Sequence, residues 1–195
     1  VNFYGTVNLD TRGSTGTSAL QLVLNTPALY GHGSANDTAT VSAATLVWNG
    51  IYGTSGPSWS PVVVEANPGA PIAGGPGTGH GTLNLVADRI VLGYQDKLSG
   101  ISSLNMNRLA LGFSTVNLTA SQRIETNDRG TISVYESQAV SGKPGIGGAL
   151  NITTPLLTGK GGSNVGFVAG GAISGVLDVD TVGPGRRADD LACLI

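Results

Sequence analysis

The 195-residue chain is poor in charged residues, at 11%, and in aromatic residues, at 5%, and its formal net charge is -2. A typical soluble domain is about 25% charged, and this near-neutral chain offers no electrostatic basis for binding nucleic acid or an anionic membrane. Its 40% hydrophobic content excludes general disorder. The 31 glycines, with many Val, Leu, Thr and Asn residues, indicate β-structure with frequent turns in a single domain, 1–195.

The cysteine content and the first residues bear on the origin of the chain. Cys193 has no second cysteine with which to form an internal disulfide. No apolar run reaches the roughly 18 residues that a membrane span requires. The chain starts at Val1, with neither an initiator methionine nor a signal peptide with a basic first part. We therefore expect it to be a piece of a longer protein.

Short alternating phrases predict β-strands along the whole chain. In TVNL at 6–9, a β-branched residue precedes an apolar, a short polar and a second apolar residue. This period of two places the apolar side chains on one face of a strand. Similar phrases follow in chain order: ALQL at 19–22, TVSA at 40–43, TLNL at 82–85, SLNM at 103–106, TVNL at 115–118, TISV at 131–134, ALNI at 149–152 and VLDV at 176–179.

The spacing of these phrases predicts a repeating fold. Their first apolar positions recur every 21 residues, at Leu20, Val41, Val62, Leu83 and Leu104, and such a period is typical of a solenoid. We expect an all-β, right-handed parallel β-helix with coils of about 21 residues. In this fold each strand pairs with its equivalent in the next coil, about 4.8 Å away. The expected hand follows the general preference of parallel crossovers.

The stretch GTLNLVADRIVLGY, residues 81–94, predicts the geometry of one coil segment. Its alternation breaks at 88–89 and then resumes, which indicates a strand, a corner at this charged pair, a second strand and an exit at Gly93. The short polar residue at the centre of several phrases points outward in this interpretation. We expect these side chains to form a hydrogen-bonded ladder on the outer face, made of Asn84, Asn105, Asn117 and Asn151.

Four segments are too rich in Gly and Pro for strand interiors and predict loops inserted at the corners. They are residues 53–61, 66–81, 141–148 and 159–166. The insertions would account for the loss of the 21-residue period after Leu104.

The sequence contains no motif for metal, cofactor or nucleotide chemistry. His32 and His80 both lie in Gly-rich segments without metal-ligand spacing, and no glycine segment has the pattern of a phosphate-binding loop. Cys193 has no neighbouring base that would mark it as a nucleophile. No catalytic residue and no cofactor is therefore predicted.

Polysaccharide cleavage is the enzymatic alternative, because a lyase or glycosidase needs carboxylates and a cation on one face. The densest charged segment holds Arg123, Glu125, Asp128 and Arg129, and stacking of coils could bring Arg108 together with Arg123 and Glu125. The alternative interpretation of this segment is a solvated outer face or corner. Asp178 and Asp180 are spaced to share a strand face.

A carbohydrate-binding module is a third interpretation, because sugar-binding surfaces present aromatic rings. The possible ligand-contact patch consists of Trp48, Tyr52 and Trp59, which cluster near Gly/Pro loops. In the alternative interpretation of this patch, Trp48 caps a coil and Trp59 packs a loop onto the stack of coils.

The repeated phrases resemble the β-helical shaft of filamentous-haemagglutinin-like exoproteins of bacterial two-partner secretion. GTLNLVADRIVLGY and RLALGFSTVNLTASQRIETNDRGTISV carry this resemblance, which extends over most of residues 5–180. The sequence lacks the N-P-N-G phrase of the N-terminal secretion domain, which is expected of an internal shaft segment.

This resemblance implies a structural or adhesive shaft, secreted to the bacterial cell surface, that projects a binding or effector region. The implied partners are an outer-membrane transporter during secretion and a glycan or protein of a host or neighbouring cell. A shaft needs no catalytic residues, so the sequence predicts that the chain is not an enzyme.

Overall fold

The computed structural model describes residues 1–12, 21–49, 77–93, 107–127, 129–138, 145–161 and 163–177. Within these ranges the chain is all-β, and it has no helix long and apolar enough to cross a membrane. The strands are β1 (Asn2–Phe3), β2 (Val7–Asp10), β3 (Gln21–Leu24), β4 (Ala28–Gly31), β5 (Thr38–Trp48), β6 (Gly81–Leu92), β7 (Arg108–Leu111), β8 (Phe113–Thr126), β9 (Arg129–Tyr135), β10 (Ser137–Gln138), β11 (Gly145–Ile146), β12 (Ala149–Thr154), β13 (Leu157–Gly159), β14 (Asn164–Ala169) and β15 (Ile173–Leu177).

Parallel pairing dominates the architecture, as the sequence predicts. The first sheet has the order β1-β4-β7-β9-β14, and each of its neighbouring pairs is parallel. The second sheet has the order β2-β5-β6-β8-β12-β15 and is also parallel, with β3 added to β5 and β13 added to β8. The described antiparallel strand pair is the short β10–β11 ribbon.

The inward alternation of the long strands β5, β6 and β8 changes phase in the middle. We call this point the bend, and it divides the second sheet into two arms. Along β6 the buried positions are Leu83, Leu85 and Ala87, and the inward phase then shifts to Ile90 and Leu92. A register irregularity against β8 lies at the same point, between Ala87 and Arg89. The predicted corner at 88–89 therefore coincides with this bend, although hydrogen bonding continues through it as one strand.

The hydrophobic core lies between the first sheet and the two arms of the second. Leu29 from β4, Ile132 from β9 and Trp48 at the end of β5 are all fully buried there. Phe3 and Phe113 meet edge to face with ring centroids 6.2 Å apart. A smaller cluster covers the other side of the first sheet and consists of Ala28, Tyr30, Leu109, Leu111 and Tyr135.

The coil length of 21 residues is wrong for the described pairs. Val41 pairs with Leu85, and Leu83 pairs with Ala39, so the described members of the 21-residue series are two positions out of register. The physical reason is that hydrogen bonding and inward alternation set the register, whereas the connections between paired strands differ in length. The other members of the series lie outside the described residues: Leu20, Val62 and Leu104.

The two sheets do not have the same number of strands at the level of β6. In the second sheet β6 lies between β5 and β8, but in the first sheet β4 pairs directly with β7. The described residues just before β6, 77–80, do not form a strand of the first sheet. They attach to the end of β4 through bonds from Gly79 N to Gly31 O and from His80 N to Gly33 O, each 2.9 Å long.

The predicted loops lie only partly within the described residues. Segment 53–61 lies outside them, as do 66–76, 141–144 and residue 162. The remaining parts include strands, because Gly145–Ile146 forms β11 and β14 begins at Asn164. Residues 77–80 do form a non-strand connection, as expected, before β6 begins at Gly81.

Candidate functional site

A line of polar side chains crosses the outer face of the first arm of the second sheet. Backbone pairing places one residue from each of six strands in the same register, and the half-exposed Asn84 and Asn117 lie at its centre. We call this line the polar ladder, and its members are Asn8, Thr40, Asn84, Asn117, Asn151 and Ser174.

Hydrogen bonds that all run in one direction join the side chains of the polar ladder from Thr40 to Ser174. In each bond the donor lies on the later strand and the acceptor on the strand before it. Such an aligned chain polarises each successive bond. The bonds are Asn84 Nδ2 to Thr40 Oγ1 at 3.3 Å, Asn117 Nδ2 to Asn84 Oδ1 at 2.7 Å, Asn151 Nδ2 to Asn117 Oδ1 at 2.8 Å and Ser174 Oγ to Asn151 Oδ1 at 2.5 Å.

Sequence reasoning named three members of the ladder and missed the others. Asn105 lies outside the described residues. Thr40 was missed because the phrase TVSA suggests Ser42 as the polar centre, whereas pairing places Ser42 opposite Val86. Alternation with the buried Ala39 would have been the better signal for Thr40.

A charged cluster lies on the outer face of the second arm. The Nε of Arg89 donates to Glu125 Oε2 at 2.8 Å, and its Nη2 contacts the same oxygen. The Nε of Arg123 donates to Glu125 Oε1, also at 2.8 Å. The carboxylate side chain is only 17% exposed, so both of its oxygens are held by guanidinium groups in a half-enclosed place.

The electrostatics of this cluster keep Glu125 ionised. Desolvation by burial raises the pKa of its carboxyl, but the hydrogen bonds and charges of Arg89 and Arg123 outweigh this effect, and the pKa lies below its ordinary value. A general acid needs the opposite shift, toward neutral pH. The cluster is therefore arranged as an ion-pair bridge between two strands.

The other charged candidates lie away from this bridge or outside the described residues. Arg108 begins β7 in the first sheet, where it is fully buried and its Nε donates to Trp48 O at 2.6 Å. It caps the carbonyl end of β5. Asp128, Asp178 and Asp180 lie outside the described residues.

The two histidines lie along one corner of the molecule. The ring of Tyr4 stacks on His32 with centroids 4.5 Å apart and an angle of 10° between the rings. Nε2 of His32 lies 3.1 Å from Asn2 Oδ1, and desolvation lowers its pKa. His80, also near this corner, pairs with Glu136 through Nδ1 and Oε1 at 2.8 Å. Among the described residues, no group of three or more His, Cys, Asp or Glu side chains could hold a metal ion.

Trp48 does not belong to an exposed aromatic patch. Its side chain is fully buried in the main core, and its Nε1 donates to Thr26 O at 2.9 Å. A ligand on the surface cannot reach this ring. Tyr52 and Trp59, the other members of the predicted patch, lie outside the described residues.

The comparisons with known proteins found no relative. No family model matches the chain, and no similar protein was found among curated sequences or solved structures. The geometry of the described residues and the repeated phrases of the sequence are therefore the basis for the functional proposal.

Proposed function

We propose that this chain is a right-handed parallel β-helix that forms the structural shaft of a secreted bacterial surface exoprotein. The observation that carries the proposal is the polar ladder, which continues in register across six parallel strands. In pairing of this kind, each strand is hydrogen-bonded in register to a strand of the next layer, as in a solenoid. The shaft would project a binding or effector region from the cell surface.

The interactions suit a mechanical role. Backbone hydrogen bonds between parallel strands run along the stacking direction, and the ladder adds side-chain bonds in the same direction. Inward columns such as Leu83 and Val116, both fully buried, pack the interior with apolar atoms. A strand that is hydrogen-bonded to a neighbour on each side seldom unfolds locally, so a protease seldom gains access to its backbone.

Export is supported by the resemblance of the repeated phrases to two-partner exoproteins. In this proposal an outer-membrane transporter is the partner during secretion. A host or neighbouring-cell glycan or protein would be the target of the projected region.

Polysaccharide cleavage has less support, because the carboxylate held by two arginines in the described part of the chain, that of Glu125, already has both oxygens bonded. A glycosidase needs one carboxyl that can donate a proton and a second that assists it. Glu125 has a lowered pKa and bonds Arg89 and Arg123. Release of oligosaccharides that stops in a Glu125→Gln variant would contradict this reasoning and favour the enzyme.

A display experiment tests the shaft proposal. The chain is fused between a two-partner secretion domain and an epitope, and surface epitope is measured on intact cells that carry the matching transporter. We expect the epitope to be displayed and to resist protease. A Leu85→Asp fusion serves as the control, since a charge at this fully buried position prevents folding. Retention of the unaltered fusion inside the cell would contradict the proposal.

A further inference from the structure

The outward side chains of the first arm form a regular array of short groups on four neighbouring strands. These strands, β5, β6, β8 and β12, pair in parallel, and the pairing of β6 with β8 has no irregularity between Thr82 and Ala87. The polar ladder supplies one row, and the residues two positions before and after it share its face and supply two more. We call this array the outer lattice, and its rows are Thr38, Thr82, Thr115 and Ala149; Thr40, Asn84, Asn117 and Asn151; and Ser42, Val86, Thr119 and Thr153.

The amides of the outer lattice keep hydrogen-bonding capacity after the ladder has formed. A primary amide has two N–H donors and two acceptor lone pairs. Asn84 and Asn117 each use one donor and one lone pair in ladder bonds, so each keeps one N–H and one lone pair. In the neighbouring row, the half-exposed hydroxyls of Thr38, Thr82 and Thr115 form no side-chain hydrogen bond with another described residue. The outer lattice therefore repeats unused donors and acceptors from strand to strand.

The outer lattice carries neither a charge nor an aromatic ring. Its members are Thr, Asn, Ser, Ala and Val residues. On β6 the charged residues begin at the bend with Asp88, which accepts a bond from Ser121 Oγ at 2.8 Å. An ionic ligand would meet no opposite charge on the lattice. A polysaccharide would meet none of the rings on which sugars stack.

The spacing of the outer lattice is fixed in two directions by the strands. Neighbouring strands lie about 4.8 Å apart, and outward residues two positions apart on one strand lie about 6.6 Å apart. Water oxygens on the prism face of ice repeat at similar distances in two perpendicular directions, and each of them both donates and accepts hydrogen bonds. A rigid periodic ligand meets many lattice groups at once and loses little freedom on binding. An uncharged surface suits ice, because a charge held against the solid would lose its hydration.

We propose that the outer lattice binds ice, with the threonine row and the polar ladder as the contact surface. The unused N–H groups, lone pairs and hydroxyls hold water molecules at the spacing of the strands, and these water molecules join the crystal. The surface lies in the interior of the sheet, since β5, β6, β8 and β12 each have a paired strand on both sides. The proposal goes beyond the shaft function, because it depends on neither export nor a projected region.

Ice affinity of the purified full chain tests the proposal. A stirred solution is frozen slowly from a cold surface, and the protein recovered in the ice is compared with the protein left in the liquid. We expect the unaltered chain to be enriched in the ice and to give growing crystals flat facets. An unaltered chain that stays in the liquid and leaves the crystals as smooth discs would overturn the proposal.

Lysine substitutions test whether the outer lattice is the ice-binding surface. Thr82→Lys places a charge in the middle of the threonine row and is expected to abolish recovery in the ice. Thr82 is half-exposed, so folding is retained, and circular dichroism checks this. Thr153→Lys, at an exposed lattice position on β12, provides a second variant if the first does not fold.

The matched control is Gln122→Lys, which adds the same charge at an exposed position of β8 outside the outer lattice. This variant is expected to bind ice like the unaltered chain. A folded lattice variant that is recovered in the ice as fully as Gln122→Lys would show that another surface binds, and the proposal would be wrong.

Microcrystalline cellulose, a periodic solid of neutral sugar, is the competing ligand. The unaltered chain is sedimented with it, and no loss from the supernatant is expected. Binding to cellulose and not to ice would overturn the proposal and assign the outer lattice to a polysaccharide. Successful surface display of a chain that does not bind ice would remove this inference and leave the shaft proposal standing.

Discussion

Glu125 joins two arginines that the strand register places side by side. Arg89 and Arg123 are direct partners in the β6–β8 pair, and like charges directly opposite each other destabilise a sheet. Glu125 bonds both guanidinium groups and is itself largely enclosed. Its carboxylate therefore offsets the repulsion between these two guanidinium groups.

Glu125→Gln is expected to lower the free energy of unfolding by about 1 to 3 kcal/mol, because it leaves two half-buried cations without their anion. The measurement is chemical denaturation at neutral pH. Asp10→Asn is the matched control, and a loss below about 1 kcal/mol is expected because the Asp10–Arg12 pair is exposed. Equal losses in both variants would contradict the assigned role of Glu125.

We also expect Glu125 to make the free energy of unfolding depend on pH in the acid range. The pKa of Glu125 is lowered from its ordinary value of 4.5, so its contribution is fully present above this pH and is lost as the pH falls through the folded-state pKa. We expect the difference in stability between the unaltered chain and Glu125→Gln to shrink on acidification below about pH 4.5. A difference that stays constant with pH would contradict this linkage.

Gly112 allows the close approach of three segments at the end of the first sheet. Its φ is 85°, which L side chains rarely adopt. A Cβ at this position would collide with the carbonyl oxygen of Gly31 and lie 2.8 Å from the Cα of Gly77. Glycine is therefore required here for both its backbone conformation and its small size.

Gly112→Ala is expected to destabilise the chain by at least about 2 kcal/mol, from backbone strain and this collision. The measurement is the shift of the unfolding midpoint. Gly161→Ala is the matched control, because a Cβ there meets no atom within 4 Å, and its effect is expected to be near zero. A neutral Gly112→Ala would show that β4, β7 and residues 77–80 do not meet as described.

At the scale of the strands, the polar ladder is the feature most closely tied to the sequence. Alternation in TLNL and TVNL is sufficient to predict which side chains point inward, and Leu83, Leu85, Val116 and Leu118 are indeed buried. The same alternation predicts outward positions for Asn84 and Asn117. Their mutual hydrogen bond follows from the register, which pairs these two residues directly.

Asn117→Ala is expected to cost about 1 to 2 kcal/mol of unfolding free energy, because Asn117 donates one ladder bond and accepts another. Thermal or chemical unfolding measures the loss. Thr119→Ala, on the same face of β8, is the control, with an expected change within about 0.5 kcal/mol. The ladder contributes nothing to stability if the two variants lose the same amount.

Sequence spacing could not predict the pairing partners. The phrases around Val41 and Leu83 look equivalent, but a shift of two residues preserves the inward side of a strand and so is invisible to an alternation pattern. The sequence also left two places open for Trp48, an exposed patch beside Gly-rich segments or a packed position on the coils. Its burial follows from the inward phase after the bend, which Trp48 shares with Leu46.

The sequence grouped Arg123 with Glu125, but the third member of the charged bridge, Arg89, and the contacts of His32 could not be predicted, for a different reason. Arg89 and Glu125 are brought together by pairing of β6 with β8, and Tyr4 reaches His32 through pairing of β1 with β4. Contacts between residues distant in sequence depend on the register of whole strands. A local pattern of charges or rings does not contain that information.

At the scale of the molecule, the two sheets differ by one strand between β5 and β8. Because neighbouring strands lie about 4.8 Å apart, the second sheet spans two strand spacings there, whereas β4 and β7 of the first sheet span one. Residues 77–80 and the buried Arg108 lie beside the place where the difference arises.

The central claim is that the described strands form one parallel stack in a defined register, and a distance across that stack tests it most directly. Spin labels are attached at positions 8 and 174, the two ends of the polar ladder, after Cys193→Ser removes the single native cysteine. Double electron–electron resonance is then measured on labelled chain diluted with unlabelled chain. Six strands in register predict a narrow distribution of backbone separations near five strand spacings, or about 24 Å. A broad distribution, or a mean well beyond that length, would contradict the stacked arrangement.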